Sequence, residues 1–394
     1  MVGIMTPKGL LSLLLAAPAS AEILFATSYN DHALYTLSLN ASSLAVVAKS
    51  YDCGSEPTWL TLDYAKSVLY CLNEGWGGAA SITSYKTTGG ALSKLDVLPV
   101  LKSPVASTLF GPNKTGLAVA YYDTSSFITF SVADPSKLAL QQQETYKLAS
   151  PGPVPDRQDV PHIHDAILDP TGKYLVATDL GADLLRIYKI SNCAKNVTEL
   201  TPVKAVPGSG PRHGAFATAG KSTYFYNVNE LSNTITGYSV SYDNKSGPAF
   251  TRLFDFSTHG PGGTVPAGTK AAELVVSPDQ KFVILSSRGE SSLTIPNFDA
   301  GNSTALPSDP LVSFAIDGAT GALKLAQVAP AGGVNPRGFS LNKAGTLVAS
   351  ALQDDNRVVV IARDPATGLL GNIVAHAVVG VGAGNGPNYA LFNE

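Results

Sequence analysis

The stretch PHIHDAILDPTGKYLVATDLGADLLRIYKI, from Pro161 to Ile190, contains the unit from which this chain is built. An apolar run follows two histidines, the DPTGK turn reverses the chain, and a second apolar run ends in the acidic loop DLGAD before a third run begins. Short β-branched and apolar runs separated by Asp, Gly and Pro indicate antiparallel strands joined by tight turns. The histidines and loop aspartates are either ordinary turn chemistry or parts of one site.

The same pattern recurs along the chain, in units that begin at Glu56, Ser103, Gly210, Lys270 and Asn335. Each unit reads as strand, tight turn, strand, polar loop and strand, and a looser fourth strand follows, such as LTPVKAVPG from Leu200. In the Lys270 unit, the third strand is expected within SSLTIPNFD. Starting positions about 45 to 65 residues apart are typical of propeller blades.

The two ends of the chain supply a seventh unit. ILFATSYNDHALYTLSLNASSLAVVAKSYD begins at a second strand and supplies three, and the C-terminal GPNYALFNE has the shape of a first strand. Joining them closes a ring and removes an open sheet edge. We therefore predict an all-β, seven-bladed propeller over residues 22–394, closed by N- and C-terminal strands in one shared blade. A pair of β-sandwiches, the alternative, would not predict a split unit.

Composition excludes some partners. The chain has 394 residues and is 44% hydrophobic, which is ample for a large core. Its 27 basic and 30 acidic residues are nearly balanced, so it lacks the excess positive charge typical of proteins that bind nucleic acid or an anionic membrane. We expect no nucleic-acid partner, no membrane span and a monomeric protein.

The first 21 residues predict a secreted protein. Lys8 is their one charge, and LLSLLLAAPASA ends in the small-x-small pattern of a signal-peptide cleavage site. The apolar segment is too short to span a bilayer, although a buried strand or anchor helix is an alternative. We expect cleavage of 1–21. Glycosylation sequons occur at Asn40, Asn113, Asn196, Asn244 and Asn302.

The three cysteines fit the same compartment. Cys53 and Cys71 flank one predicted strand and could form a disulfide in an oxidising environment, which leaves Cys193 free.

Polar side chains gather at two positions of the repeat. In a four-stranded antiparallel blade, the entry to the first strand and the loop between the second and third strands lie on one face, and first strands line the central channel. Entry positions hold Trp59, His162, His164, Arg212, His213, Glu273, Asn335, Arg337 and Asn388, and the loops hold Glu74, Asp123, Asp179, Asp183, Glu230, Arg288, Glu290 and Gln353. We expect these side chains to converge.

Structural alternatives accompany these assignments. Loop Asp and Asn often cap turns, and the glycine within DLGAD strengthens that interpretation for Asp179 and Asp183. Arginines beside a narrow channel must be paired or must face a ligand. For Arg212, Arg288 and Arg337 the pattern favours an anionic or carbonyl-bearing ligand, and pairing stays open.

Other chemistries fit less well. His162 and His164 with His213 could suggest zinc, but the neighbouring arginines would repel a dication. The chain has no GxSxG nucleophile motif, and the glycine-rich GVGAGNGPN is read as a blade connection with no helix after it. We expect neither metal nor organic cofactor.

Four stretches together resemble the seven-bladed lactonase family, which includes propeller-type 6-phosphogluconolactonases and fungal 3-carboxy-cis,cis-muconate lactonizing enzymes. They are HIHDAILDPTGKYLVATDLGAD, GPRHGAFATAGKSTYFYNVNE, AELVVSPDQKFVILSSRGESS and NPRGFSLNKAGTLVASALQ. The resemblance covers essentially the whole chain after the signal segment. It implies a site at His164, Arg212, Glu230 and Arg288, which the repeat also places on one face.

The resemblance implies an enzyme that opens or forms a lactone of a small organic or sugar acid. His164 would be the general acid/base, Arg212 and Arg288 would hold a carboxylate or oxyanion, and Glu230 would orient His164 or act as a second acid/base. Further substrate contacts are expected from His162, His213, Glu273, Arg337, Asn335, Asp179 and Gln353. The alternative is a secreted propeller glycoprotein that binds a ligand or cell-surface partner without turnover.

Overall fold

The structure is a computed structural model that describes residues 21–243 and 247–394. Its regular structure is β-strand throughout, apart from one 3-10 turn at Pro112–Lys114. No helix in these two ranges has the length and apolar character needed to cross a membrane. The predicted signal segment, except for Ala21, and the sequon at Asn244 lie outside the described residues.

The strands form seven antiparallel sheets of blade type. Blade one contains β1 (Glu22–Ser28), β2 (Ala33–Asn40) and β3 (Ser43–Ser50). Blade two contains β4 (Pro57–Asp63), β5 (Val68–Asn73), β6 (Ala80–Thr88) and β7 (Ala91–Val100). Blade three contains β8 (Pro104–Phe110), β9 (Gly116–Tyr121), β10 (Ser126–Ser131) and β11 (Ala139–Thr145). Blade four contains β12 (Ile163–Leu168), β13 (Tyr174–Asp179), β14 (Leu184–Ile190), β15 (Val197–Glu199) and β16 (Val203–Lys204).

The remaining blades follow the same order. Blade five contains β17 (Pro211–Ala219), β18 (Ser222–Asn229), β19 (Thr234–Asp243) and β20 (Gly247–Ser257). Blade six begins with β21 (Lys270–Val276) and β22 (Phe282–Arg288), continues through an inserted pair, β23 (Leu293–Ile295) and β24 (Leu306–Ser308), and ends with β25 (Pro310–Ile316) and β26 (Leu323–Pro330). Blade seven contains β27 (Pro336–Leu341), β28 (Leu347–Leu352), β29 (Arg357–Arg363) and β30 (Leu370–Val378).

The last strand, β31 (Pro387–Phe392), closes the ring. It pairs antiparallel with β1, so blade one has the order β3-β2-β1-β31. Leu24 lies opposite Phe392, and the amide of Asn393 donates to the carbonyl of Ile23. The predicted seven-bladed propeller with a shared terminal blade is confirmed.

Local sequence explains why the blades form and pack. In the DPTGK turn, the Asp169 carboxylate accepts hydrogen bonds from the amides of Thr171, Lys173 and Tyr174. Gly172 adopts φ 69°, a conformation that L residues rarely take, so glycine suits this turn. Apolar faces of adjacent blades then pack together, as where Phe127 of blade three stacks on Tyr188 of blade four at 4.2 Å.

Blade six departs from the sequence prediction. The segment SSLTIPNFD does not supply the third strand, because β23 pairs with β24 in a separate hairpin and β25 takes the third place beside β22. The Asp309 carboxylate fixes this arrangement by accepting from the amides of Gly289, Glu290 and Ser291, at the beginning of the insertion. An apolar run inside an insertion has the same local signal as a blade strand.

The cysteines pair as predicted. Cys53 is joined to Cys71 with a Cα–Cα separation of 5.9 Å, and Cys193 is free and exposed. The bond ties the segment between blades one and two to the second strand of blade two.

Four sequon asparagines, Asn40, Asn113, Asn196 and Asn302, are exposed, while their glycosylation stays a prediction.

Candidate active site

A register irregularity in every blade aims side chains at the central axis. Where the innermost strand meets its neighbour, the pairing shifts, and the extra residue bulges out of the ladder. These extra residues are Thr58, Val105, His164, Arg212, Arg337 and Asn388, with Ala272 and Glu273 together in blade six. The bulges therefore bring residues from distant parts of the sequence to one ring.

A cavity of about 260 Å³ lies above this ring. Bulge residues form part of its wall, and the loops of the same face form the rest. Its lining residues are Glu74, Trp76, Ser103, Val105, Tyr122, Asp123, Arg157, His164, Arg212, Glu230, Arg288 and Arg337. The predicted catalytic residues His164, Arg212, Glu230 and Arg288 thus line one cavity.

Glu230 holds three of the cavity's arginines. Its carboxylate lies 2.6 Å from Nη2 of Arg157, 2.8 Å from Nε of Arg212 and 3.0 Å from Nη2 of Arg288. Although burial opposes it, this cluster of cations, led by Arg288, lowers the pKa of Glu230 far below its usual range. Glu230 therefore stays ionised, and the predicted role as a second acid/base is corrected: it positions the arginines.

Arg337 differs from the other arginines. Among the described residues, its guanidinium makes neither a hydrogen bond nor an ion pair, and it lies 5.7 Å from the centre of the Tyr29 ring. Glu74 is its near carboxylate, but the Glu74 carboxylate also accepts from the Tyr29 hydroxyl and from Trp76 Nε1 at 2.8 Å. Burial raises the pKa of Glu74, against the influence of Arg337. Arg337 is thus the cation most available to a ligand.

His164 lies in the cavity floor as a neutral imidazole. Burial, together with the Arg212 charge, holds its pKa well below 6.5. Its Nδ1 lies 3.2 Å from Nε2 of His213, and Nδ1 of His213 lies 3.0 Å from Oε1 of Glu273. One nitrogen of His164 is therefore engaged below the floor, and Nε2 is the atom left for the cavity.

His213 and Glu273 do not line the main cavity. They border a second cavity of about 10 Å³, which shares His164, Arg212 and Arg337 with the first. A space of that size holds one water at most, so the predicted direct contacts of His213 and Glu273 with a substrate are corrected.

The remaining predicted contacts lie elsewhere. His162 is stacked on Tyr122 at 4.1 Å, and its ring lies behind the cavity wall. Asp179 is fully buried in an ion pair with Arg186 and accepts from the amides of His162 and Ala182, so it stabilises its loop, as the turn-capping alternative held.

Asn335 and Gln353 also hold loops together outside the cavity. The Asn335 amide side chain donates to Asp354, and Gln353 donates to Asn385 at 2.7 Å. The prediction that Asp179, Asn335 and Gln353 contact a substrate is therefore corrected, because none of the three lines the cavity. They lie on the predicted face of the propeller, and each bonds to a neighbouring loop through at least one polar atom.

Sequence reasoning missed the lining residues Arg157 and Trp76. Arg157 lies in the Pro/Gly-rich segment before blade four, and its Nη2 also donates to the Tyr122 hydroxyl at 3.1 Å. Trp76 is 46% exposed at the cavity mouth, and its ring packs at a tilt against Tyr29, with the ring centres 4.7 Å apart. The available signals were the arginine in PVPDRQDV and the tryptophan in EGWGG. Neither residue occupies a position that recurs from blade to blade, so the repeat pattern did not point to them.

Known proteins share this architecture. Residues 23–383 match the family model described as lactonase, 7-bladed beta-propeller. A protein of Arthroderma benhamiae named probable 6-phosphogluconolactonase is 32% identical over 86% of this chain and 82% of its own length. A 6-phosphogluconolactonase of Formosa agariphila is 31% identical over 67% and 68% of the two chains. The solved periplasmic gluconolactonase of Pseudomonas aeruginosa superposes with a TM-score of 0.76 at 26% identity, over 95% and 99% of the two chains. The chain therefore belongs to the seven-bladed β-propeller lactonase family.

Proposed function

We propose that this protein hydrolyses a lactone of an acidic sugar or a related small organic acid, in the class that includes 6-phosphogluconolactone and gluconolactone. The observation that carries the proposal is the guanidinium of Arg337, which has no hydrogen bond or ion pair within residues 21–243 and 247–394, in the same cavity as the neutral imidazole of His164. One supplies a positive charge for a developing oxyanion, and the other supplies a base. The names of the three relatives above agree with this reaction class.

The electrostatics of the cavity favour an anionic substrate. Four guanidinium groups, from Arg157, Arg212, Arg288 and Arg337, line this cavity, and they outnumber its three acidic residues, Glu230, Glu74 and Asp123. Glu230 pairs with three of the arginines, and burial raises the pKa of Glu74, which weakens its negative charge. Mutual repulsion among the cations is relieved when a phosphate or carboxylate enters.

Hydrolysis follows from the positions of two groups. His164 Nε2 takes a proton from water as the oxygen attacks the lactone carbonyl, and Arg337 stabilises the oxyanion that forms. The tetrahedral intermediate then collapses, the bond from the carbonyl carbon to the ring oxygen breaks, and that oxygen takes the proton back from His164. Water is the one co-reactant, and the product is the open hydroxy acid.

A lactone panel with an Arg337 variant tests this function. The wild type should hydrolyse 6-phosphoglucono-δ-lactone or glucono-δ-lactone faster than the spontaneous rate, and a neutral aliphatic lactone poorly. Arg337→Gln should lower kcat/KM by about 10² to 10³. Because Arg337 makes neither a hydrogen bond nor an ion pair with the described residues, the melting temperature should change by a few degrees at most.

Arg357→Gln is the matched control, because Arg357 lies in the same blade but pairs with His376 outside the cavity. A wild type that binds these lactones without turning any of them over contradicts the proposal and favours the binding glycoprotein. The cyclising direction, as in muconate lactonization, is tested by supplying the open acids.

We also propose that the chain is exported. The Cys53–Cys71 disulfide supports this, since such bonds persist in oxidising compartments. Protein secreted by an expressing culture should begin near Glu22, and non-reducing peptide mapping should find Cys193 reduced. Secreted protein that retains residues 1–21, or a bond from Cys193 to either partner, contradicts the proposal.

A further inference from the structure

The side chains below the cavity floor form a continuous line of proton-carrying groups. Nδ1 of His164 is 3.2 Å from Nε2 of His213, and Nδ1 of His213 is 3.0 Å from Oε1 of Glu273. All three side chains are at most 5% exposed. The line starts at Nδ1 of His164, the residue proposed as the base. It ends at the Glu273 carboxyl group, which does not line the main cavity.

We propose that His213 and Glu273 are positioning residues that relay the proton taken up by His164 to the Glu273 carboxylate. The proposal rests on the proposed lactonase function for its role in turnover, but the relay itself is a property of the free protein.

The hydrogen-bond directions make this relay possible. With Glu273 ionised, Nδ1–H of His213 donates to Oε1, Nε2 of His213 accepts from Nδ1–H of His164, and Nε2 of His164 is a free lone pair. When water gives a proton to that lone pair, His164 passes its Nδ1 proton to His213, which passes its own Nδ1 proton to Glu273. Both rings end neutral with exchanged tautomers, and Glu273 is protonated. The reverse sequence returns the proton to the leaving ring oxygen.

The charges around the line explain why a relay is needed. A proton left on His164 would create an imidazolium beside Arg212 and Arg337, and both charges lower the pKa of His164. The pKa of His213 is likewise lowered to about 3, by burial and then by Arg212 and Arg337, although Asp165 opposes this. Neither ring can keep the proton at neutral pH, so the proton moves on to the carboxylate.

Glu273 is suited to accept it. Oε1 is oriented by the Leu274 amide at 3.0 Å, while Oε2 is buried with no hydrogen-bond partner among the residues that the structure describes. Burial raises the pKa of Glu273 to about 8, against the opposing charge of Arg212. The other titratable groups that face the carboxyl are His213, Asp165 and Tyr389.

Nitrogen NMR of the histidine rings tests the relay without any substrate. In the wild type, His164 and His213 should exchange tautomers together as the pH passes about 8. In Glu273→Gln the exchange should disappear, because the amide holds one hydrogen-bond direction and does not titrate. A wild type whose rings keep their tautomers from pH 6 to 9 overturns the proposal.

Kinetics supply the second arm. Activity needs Glu273 ionised, so wild-type kcat/KM, corrected for spontaneous hydrolysis, should rise as the pH rises through about 8. Glu273→Gln should lower kcat by about 10² with little change in KM. In this variant the rise of kcat/KM with pH should move below pH 6.5, because His164 itself then titrates. Because an ionised buried carboxylate is costly, this variant should melt no lower than the wild type at pH 8.5.

Asp165→Asn is the matched control, since Asp165 Oδ2 lies 3.8 Å from Nδ1 of His213. It removes a neighbouring negative charge but keeps the Glu273 carboxyl, so the rise of kcat/KM with pH should remain, with its midpoint moved only slightly downward. If Asp165→Asn moves the rise below pH 6.5 and Glu273→Gln does not, the assignment to Glu273 is wrong. If the histidine tautomers exchange but the protein hydrolyses no lactone, the relay is supported and only the proposed lactonase function is refuted.

Discussion

His164→Gln should lower lactone turnover by about 10² to 10⁴, because glutamine keeps a hydrogen-bonding group in the cavity floor but cannot take up a proton. Glutamine is similar in size to histidine, and the histidine it replaces is neutral in the folded protein. The variant should therefore fold and melt within a few degrees of the wild type. Steady-state rates and thermal melts of the same preparation measure both effects.

His162→Gln is the control for this result. His162 lies two residues away and is also buried, but its ring stacks on Tyr122 and its Nε2 lies 3.1 Å from Asp159, behind the cavity wall. Its replacement should leave kcat within a few-fold of the wild type and should cost more stability than turnover. A fully active His164→Gln variant would remove the catalytic assignment, and so would equal losses of rate in both variants.

Deleting Gly386–Glu394 should prevent the protein from folding. The deletion removes β31, and with it the buried side chains of Tyr389, Ala390 and Phe392 and the ladder along β1. Replacing one buried aromatic side chain by alanine costs about 3–5 kcal/mol, so losing two with their strand approaches the whole stability of about 5–15 kcal/mol of a typical protein. The exposed edge of β1 should then promote aggregation.

A shorter deletion distinguishes the effect of opening the propeller ring from the effect of merely shortening the chain. Removing only Asn393 and Glu394 leaves β31 complete and takes away the hydrogen bond from Asn393 to Ile23. This protein should remain folded, with a modest decrease in melting temperature. Size-exclusion chromatography and thermal melts report both results. A monodisperse protein that lacks residues 386–394 and melts like the wild type would show that the ring does not depend on its last strand.

The repeat is visible in the sequence because its causes are local. Strand alternation and turns such as DPTGK are determined by residues within one blade, so the number of blades, the split terminal blade and the shared face of His164, Arg212, Glu230 and Arg288 could be predicted. The Cys53–Cys71 bond followed for the same reason, since both cysteines belong to one local strand unit. The insertion in blade six was missed because an apolar run alone does not say which strand it will pair with.

The roles of the charged residues were decided only by the tertiary structure. Glu230 and Arg288 are 58 residues apart, and His213 and Glu273 are 60 apart, so each contact exists only once neighbouring blades meet around the axis. That meeting brings Arg288 to the Glu230 carboxylate, which Arg212 of the same blade also contacts, and puts Glu273 below the cavity floor. It leaves Arg337 without an ion pair among the described residues. Pairing and burial set which groups keep their charge, and both depend on distances that no local sequence pattern contains.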